Sequence, residues 1–259
     1  MRPPPRKKAG KAKPSKIRED QNANYIHRLG ECHKGKDIFV LGTGTSLAGF
    51  PWEKMNNKIT IALNDAVKAE GFTPTYHLFS DVNIWKRYSH MKWKVPCKMV
   101  CQKHGRKLFL NNRSCTFKEY LWQFDIAPHP DLDKSNSRLH VRRTVACGGI
   151  NMAYKFGANR IFLLGVDGYK KPHNLYYHDG TGKPVERRKE NMVQDGSKRI
   201  VQDRHECWKI DMDYSRKTFK DNELYLGPYP ESGVYNLNPD SVIESWEKVE
   251  PKEVLGFTW

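Results

Sequence analysis

The sequence predicts an α/β domain with a mostly parallel sheet, because short apolar runs of strand length repeatedly end in small polar residues. One such run, 161–164, follows a helix predicted over 148–156 that stops at Gly157, and it leads into Asp167. A second run, Asp37–Leu41, leads directly into a glycine turn. Continuous apolar runs are typical of strands that are covered on both faces, as in parallel sheets flanked by helices.

Further strands are predicted over 58–63, 75–79 and 98–101, and the first two of these also end in polar residues. Because the carboxyl ends of parallel strands meet at one edge of the sheet, we expect the ligand site there. Glycines let a backbone approach a ligand closely, and turn amides with hydroxyl side chains suit phosphate oxygens. The candidate binding residues at this edge are Gly42, Thr43, Gly44, Thr45, Ser46, Asn64, Asp65, Ser80, Asp81 and Asp167.

The rest of the chain is less regular. It is interpreted as a short helix over 22–29, an amphipathic segment over 117–124, a long lid loop over 170–205, a helix over 206–217, a strand over 233–237 and a last helix, capped by 238–241, that continues to Trp246. The lid prediction depends on the prolines, glycines and charges of that loop, which lacks periodicity.

A chain of 259 residues with 38% hydrophobic residues is long enough for one large core, so we expect a single domain over 21–259 behind a tail, 1–20. Its apolar runs are too short to span a bilayer, and the basic N-terminus lacks the apolar stretch of a secretory signal. The six cysteines are scattered without a CxxC pair, which favours a reduced, cytoplasmic setting over disulfides or zinc.

The net charge is +16, and residues 1–18 supply eight lysines and arginines with no acid. Their proline-rich composition without aromatic residues predicts a disordered arm, which either binds a polyanion or only aids solubility. Further basic clusters, including Arg142-Arg143 and Arg187-Arg188, fall near the predicted site loops. This placement favours an anionic substrate or partner.

Two familiar nucleotide motifs are incomplete or absent. Leu47 occupies the position of the third glycine of a dinucleotide fingerprint, and no GxxxxGK[ST] loop occurs. Two DxD sequences, at 131–133 and 211–213, follow no convincing strand, so we interpret them as exposed loop or helix acids. No metal site is predicted.

The order of motifs carries a resemblance. GTGTSL after the first strand, LNDA, FSD, then GANRIFLLGVDGY and VYNLNPDSVIESW together resemble the bacterial lipo-oligosaccharide sialyltransferases and related bacterial and phage proteins. The likeness extends from about residue 36 to 246. It implies a single Rossmann-like domain of the sialyltransferase-like, GT-A variant type. It also implies transfer of a CMP-activated sugar to an acceptor hydroxyl, with inversion and without a metal or resident cofactor.

The resemblance also assigns roles to residues. Thr43 stands where the family's first loop has asparagine, Asn64 matches the second-strand asparagine, and the third-strand asparagine falls near Ser80 and Asp81. The segment before the nucleotide helix corresponds to Thr144 and to Ala146, Cys147 and Gly148, with the family's arginine at Arg142 or Arg143. Cys147 is otherwise a small packing residue.

The expected catalytic groups are phenols and an imidazole. A departing phosphate needs hydroxyl or amide donors where no metal serves, and the matching tyrosines are Tyr169 and, one place out of register, Tyr176. The general base is either His205 or His178, which has Asp179 beside it, although each could be an ordinary surface histidine.

The sequence thus predicts a glycosyltransferase that uses a nucleotide sugar and an anionic acceptor, with phage nucleic acid as a candidate. In a phage-encoded protein the setting is the host cytoplasm. Two alternatives stay open: a diphosphokinase acting on a pterin alcohol, which needs ATP and magnesium, and a non-catalytic nucleic-acid-binding or phage-assembly protein. The oligomeric state is not predicted.

Overall fold

The computed structural model describes residues 24–81, 84, 97–102, 121–141, 144–168, 175–177, 184–186, 204–225 and 227–259. The predictions for the tail, 1–20, and for Arg142 and Arg143 lie outside this part of the chain. Among the described residues, no helix is both long and apolar enough to cross a membrane.

Within the described part of the chain, ten strands form the main sheet, and every pair among them is parallel. Its strands are β1 (Asn24–Tyr25), β2 (Asp37–Leu41), β3 (Thr60–Leu63), β4 (Tyr76–Phe79), β5 (Lys98–Gln102), β6 (Leu121–Ile126), β7 (Arg138–Leu139), β8 (Arg160–Leu164), β11 (Gly233–Asn236) and β12 (Glu247–Lys248). Strands β9 (Leu175–Tyr177) and β10 (Pro184–Glu186) form a separate antiparallel pair. The helices are α1 (Val145–Lys155), α2 (Arg204–Asp221) and α3 (Pro251–Leu255).

The strand order places a switch point in the middle of the sheet. The order is β1-β6-β5-β4-β3-β2-β8-β11-β12, with β7 paired to β6. From β2 the chain therefore moves outward through β3, β4, β5 and β6, and then returns to place β8 on the other side of β2. In open α/β sheets, the crevice at the carboxyl ends of two such strands is where ligands bind. This confirms the predicted α/β class with a mostly parallel sheet.

Side chains of the central strands alternate between two apolar layers. In β2, Ile38 and Val40 join the cluster that contains α1, whereas Phe39 and Leu41 join the cluster on the opposite face. All four are at most 3% exposed. The sheet is thus buried on both faces, which explains why its strands have continuous apolar sequences.

Helix α1 packs closely on the sheet because it begins with small residues. The Thr144 hydroxyl caps it by accepting a hydrogen bond from the Ala146 amide (3.2 Å). A methyl group on Gly149 would lie 2.7 Å from Val40 Cγ1, so only glycine permits this approach. The helix ends before Gly157, whose φ of 80° terminates it.

Four predicted segments differ from the structure. The helix predicted over 22–29 is β1 followed by a 3-10 helix, Ile26–Leu29, and the amphipathic segment over 117–124 contributes β6. Of the predicted lid loop, the structure describes the β9–β10 pair and the first residues of α2, and residues 170–174, 178–183 and 187–203 lie outside the described part.

No helix follows 238–241, although the Ser241 hydroxyl accepts a hydrogen bond from the Ile243 amide (3.1 Å). Asn238 closes a turn with the Asp240 amide (3.0 Å) and donates to the Asp167 carboxylate, while the Ser241 hydroxyl donates to the Asp167 carbonyl (2.7 Å).

Candidate functional site

A cleft opens at the switch point, and we call it the switch-point cleft. It encloses about 660 Å³, including the part that is open to solvent. It is lined by Gly42, Thr43, Gly44, Leu63, Asn64, Thr144, Val145, Ala146, Gly165, Val166, Asp167, Gly168, Trp208, Met212 and Ile243. These residues come from the ends of β2, β3 and β8, the start of α1, one side of α2 and the loop after β11.

The floor of the cleft is the contact between the loops after β2 and β8. The Gly42 and Gly44 amides donate to the carbonyls of Leu164 and Gly165 (2.7 and 2.8 Å). A methyl group on Gly44 would lie 2.7 Å from the Gly165 carbonyl oxygen and would overlap Asp167. Both glycines of the first loop are therefore required by the packing of the two loops, whether or not a ligand is present.

Asp167 ties three segments together at the cleft. Its Oδ2 accepts from the Ser46 amide (2.9 Å), and its Oδ1 accepts from the Ser46 hydroxyl (2.6 Å) and from Asn238 Nδ2 (2.9 Å). The carboxylate also faces the N-terminal end of the short 3-10 helix Thr45–Leu47. Its two oxygens are thus engaged by the protein, which favours a structural role over direct ligand binding.

Asn64, the first residue after β3, lines the cleft and has an unusual backbone conformation. Its φ is 49°, in the left-handed region that non-glycine residues rarely adopt, although asparagine is the best tolerated. The Asn64 carbonyl accepts a hydrogen bond from Nε2 of His77 (2.7 Å), a fully buried residue of β4. Burial lowers the pKa of His77 to about 4, so this imidazole is neutral near pH 7.

The N-terminus of α1 faces the same space, since Thr144, Val145 and Ala146 all line it. The first amides of an 11-residue helix lack carbonyl partners within the helix, and its dipole favours negative charge at this end. Amides of this kind form ready anion sites. The start of α1 therefore offers amide donors that suit an anionic group in the cleft.

The opposite wall is apolar and comes mainly from α2. Trp208 and Met212 are one turn apart on this helix, and Ile243 completes the wall. Behind it, Cys147 Sγ lies 3.7 Å from Met212 Sδ, and burial raises the pKa of the Cys147 thiol to about 12. A flat ring fits against such a wall, whereas a thiolate nucleophile is not available from Cys147.

The structure brings together only part of the predicted binding set. Of those residues, Gly42, Thr43, Gly44, Asn64, Thr144 and Asp167 line the cleft, whereas Thr45, Ser46, Asp65, Ser80, Asp81, Cys147 and Gly148 do not. Ser46 is turned toward Asp167, and Asp65 is 8% exposed within the 3-10 helix Asn64–Lys68. Ser80 and Asp81 follow β4, which lies one strand further from the switch point than β3 does. Gly148 contacts Val141 in the core.

For the predicted catalytic residues, the structure gives either the position of the backbone alone or no position. Tyr169 and His178 lie outside the described residues, although Tyr169 directly follows Gly168, which lines the cleft. Tyr176 is the central residue of β9, which lies against the 3-10 helix Thr45–Leu47. His205 is in the first turn of α2, one turn before Trp208. Their assigned roles stay predictions.

Sequence reasoning missed the apolar residues of the lining, such as Trp208, Met212 and Ile243, and also His77, which contacts Asn64. His77 sits within a strand-like run, and only the fold brings it to the Asn64 carbonyl. Trp208 lies two residues after the predicted start of the helix over 206–217. The sequence does not show which side of that helix is buried, so it did not indicate Trp208 as a cleft residue.

The acidic pairs have structural partners. Lys155, 4% exposed, lies 3.6 Å from Asp131 Oδ1 and donates to the Asp133 carbonyl, so this loop closes around an ammonium group. The interpretation of Asp211 as an exposed acid is wrong, because this residue of α2 is only 4% exposed. Within the described residues, no three His, Cys, Asp or Glu side chains are grouped as a metal site would require.

The chain is similar in fold to solved glycosyltransferases at low identity. A complex of the sialyltransferase CstII from Campylobacter jejuni with CMP-3FNeuAc is 12% identical, with a TM-score of 0.44, over 86% of this chain and 89% of that chain. The MAf glycosyltransferase from Magnetospirillum magneticum AMB-1 is 14% identical, with a TM-score of 0.46, over 84% of this chain and 34% of that chain. No protein-family model and no curated protein matches. At these values the likeness by itself indicates no activity.

Proposed function

We propose that the protein is a glycosyltransferase that binds a nucleotide sugar in the switch-point cleft and transfers the sugar to an acceptor hydroxyl. The observation that carries this proposal is the pairing, in one cleft, of the N-terminus of α1 with an apolar wall. A nucleotide has the matching halves, a phosphate and flat rings. The motif order GTGTSL to VYNLNPDSVIESW, which resembles the sialyltransferases, supports sugar transfer among nucleotide reactions.

The contacts suggest how a nucleotide would lie. Amides at the start of α1 and the Thr43 hydroxyl suit phosphate oxygens, and the Asn64 carboxamide suits a ribose hydroxyl or a phosphate. Trp208 and Met212 then cover a ring. A dinucleotide fits less well, because a single 3-10 turn, Thr45–Leu47, stands where its phosphate-binding helix would follow β2.

The proposed reaction is a single inverting displacement. The acceptor oxygen bonds to the anomeric carbon as the bond from that carbon to the phosphate oxygen breaks, and the nucleoside monophosphate leaves. The acceptor proton passes to a histidine, His205 or His178, and Tyr169 with Tyr176 donates to the departing phosphate. No metal is required in this scheme. The acceptor is anionic, with phage nucleic acid as the candidate, and the setting is cytoplasmic.

The experiment is a donor screen followed by variants. Calorimetry with CMP, UMP, GMP and AMP, and hydrolysis or transfer assays with the matching nucleotide sugars, are run with EDTA and with magnesium. Metal-independent release of one nucleoside monophosphate with sugar transfer is expected. Magnesium-dependent conversion of ATP to AMP with a pterin alcohol would instead indicate the diphosphokinase, and nucleic-acid binding without turnover would indicate the non-catalytic protein.

The variants then separate the roles. His205→Ala should slow transfer by roughly 100- to 10,000-fold and leave nucleotide affinity nearly unchanged, while Tyr169→Phe should slow nucleotide departure. His178→Ala is the matched comparison for the base. A dead His178→Ala beside an active His205→Ala would move the base to His178. Unchanged activity in all three would contradict the mechanism.

A further inference from the structure

A buried histidine on the strand next to β3 contacts a residue that lines the switch-point cleft. His77 lies in β4, where all four residues are buried, and its side chain is 0% exposed. Nε2 lies 2.7 Å from the Asn64 carbonyl oxygen. A carbonyl only accepts, so the imidazole donates through Nε2–H, and this contact fixes its tautomer.

The acceptor of that bond belongs to a strained residue. Asn64 has a φ of 49°, and the next residues form the 3-10 helix Asn64–Lys68. Backbone strain of this kind persists only where surrounding contacts determine it. The bond from His77 is such a contact, because it holds the carbonyl of Asn64, whose backbone turns and which lines the cleft.

An imidazole is a costly choice for core packing alone. On its own face of β4, the His77 ring lies 4.8 Å, centroid to centroid, from Phe79, which is 1% exposed and belongs to the apolar cluster of that face. Burying a polar ring there is unfavourable unless its polar atoms are bonded, and an apolar side chain of similar volume would pack without that requirement. The bond to Asn64 is what the histidine adds.

We infer that His77 is a positioning residue for the ligand of the switch-point cleft: it fixes the Asn64 carbonyl and so aims the Asn64 carboxamide at the bound nucleotide. This inference rests on the proposed function for the identity of the ligand. It gives His77 no contact with that ligand and no part in the chemistry.

The test compares side chains that keep or remove the donor. His77→Gln retains an amide N–H at similar reach, and His77→Leu removes it. Asn64→Gly keeps the left-handed backbone without strain and removes the carboxamide. Affinity for CMP, UMP, GMP and AMP is measured by calorimetry, and folding is checked by urea unfolding for each variant.

We expect His77→Leu to weaken the tightest-bound nucleotide at least tenfold, and His77→Gln to weaken it less than threefold. In the Asn64→Gly background, His77→Leu should cause less than a twofold further loss, since the group that His77 positions is gone. An equal loss in both backgrounds, or unchanged affinity in a folded His77→Leu, would overturn the inference.

A ligand-free measurement covers a failure of the leucine variant to fold. The ¹³Cα and ¹³Cβ shifts of Asn64 should keep left-handed values in His77→Gln and move toward extended values in any folded variant without a donor, such as His77→Phe. Left-handed shifts in His77→Phe would overturn the inference. Nucleotide binding without sugar transfer would overturn the proposed function alone, whereas the absence of any nucleotide binding in the unmodified protein would overturn both.

Discussion

Removing the Asp167 carboxylate should destabilise the whole fold, because this side chain bonds three segments that are far apart in sequence. It accepts three hydrogen bonds, two from Ser46 and one from Asn238, at 2.6 to 2.9 Å. Hydrogen bonds to a charged group contribute roughly 1.5 to 3 kcal/mol each, but they are not additive within one network. We therefore expect Asp167→Ala to cost about 3 to 4 kcal/mol.

The asparagine variant gives a sharper test of the geometry. In Asp167→Asn, one oxygen can still accept from the Ser46 amide, and the Ser46 hydroxyl can rotate to accept at the other position. Asn238 cannot adapt in the same way, since its Oδ1 already accepts from the Asp240 amide (3.0 Å). One lost bond predicts a cost of about 1 to 2 kcal/mol, intermediate between the native protein and alanine.

Urea unfolding, followed by tryptophan fluorescence, measures both variants. Asp221→Asn is the control, because Asp221 is exposed and paired only with Lys217 in the next-to-last turn of α2 (2.5 Å), so its loss should cost less than about 0.5 kcal/mol. If Asp167→Ala were no less stable than Asp221→Asn, the structural role would be refuted. If it instead lost only nucleotide affinity, Asp167 would be a ligand residue, as the sequence first indicated.

Three further predictions test other parts of the molecule. Thr144→Ala removes the cap on the Ala146 amide and should cost about 1 kcal/mol in urea unfolding, whereas Thr144→Ser should cost a few tenths. Burial lowers the pKa of His77 from 6.5 to about 4, so keeping this imidazole neutral contributes roughly 3 kcal/mol to the free energy of unfolding above pH 6.5. That contribution is lost as the pH falls toward 4, because the unfolded chain then takes up a proton that the folded protein does not. His77→Gln should therefore lose less stability between pH 7 and pH 4.5, as measured by urea unfolding. Deleting residues 1–18 should reduce the salt dependence of DNA and RNA binding without affecting transfer, and an unchanged slope would limit the tail to solubility.

The central strands could be predicted because a parallel sheet covered on both faces leaves a simple pattern. The run Asp37–Leu41 is β2 to the residue, and 161–164 falls within β8. The strand β6 did not show this pattern, since LWQFDI places Gln123 and Asp125 between its apolar residues. Among the described strands, the neighbours of β6 on one side are the two-residue strands β1 and β7. Whether this segment forms a strand therefore depends on tertiary pairing.

The site could be predicted to the level of the sheet edge but not to the level of the side chain. Strand ends indicated Thr43 and Asn64 correctly as members of one cleft. They also indicated Ser80 and Asp81, which lie one strand too far from β8, and no local signal reports the strand order. The contact of His77 with Asn64 joins β4 to the residue that follows β3, so it becomes visible only when the register of β3 with β4 is known.

The position of Leu47 explains why the dinucleotide interpretation fails and where the phosphate would bind instead. Leu47 is fully buried, and a methyl group on Gly165 would overlap its side chain, so Leu47 fills the space over the β8 loop that a glycine would leave open. The helix after β2 is consequently one 3-10 turn, too short to direct a helix dipole at a ligand. Helix α1, which leads into β8, brings its N-terminus to the cleft, and for this reason the proposed function places the phosphate there. The Gly42-x-Gly44 turn then serves mainly to let the β2 and β8 loops touch.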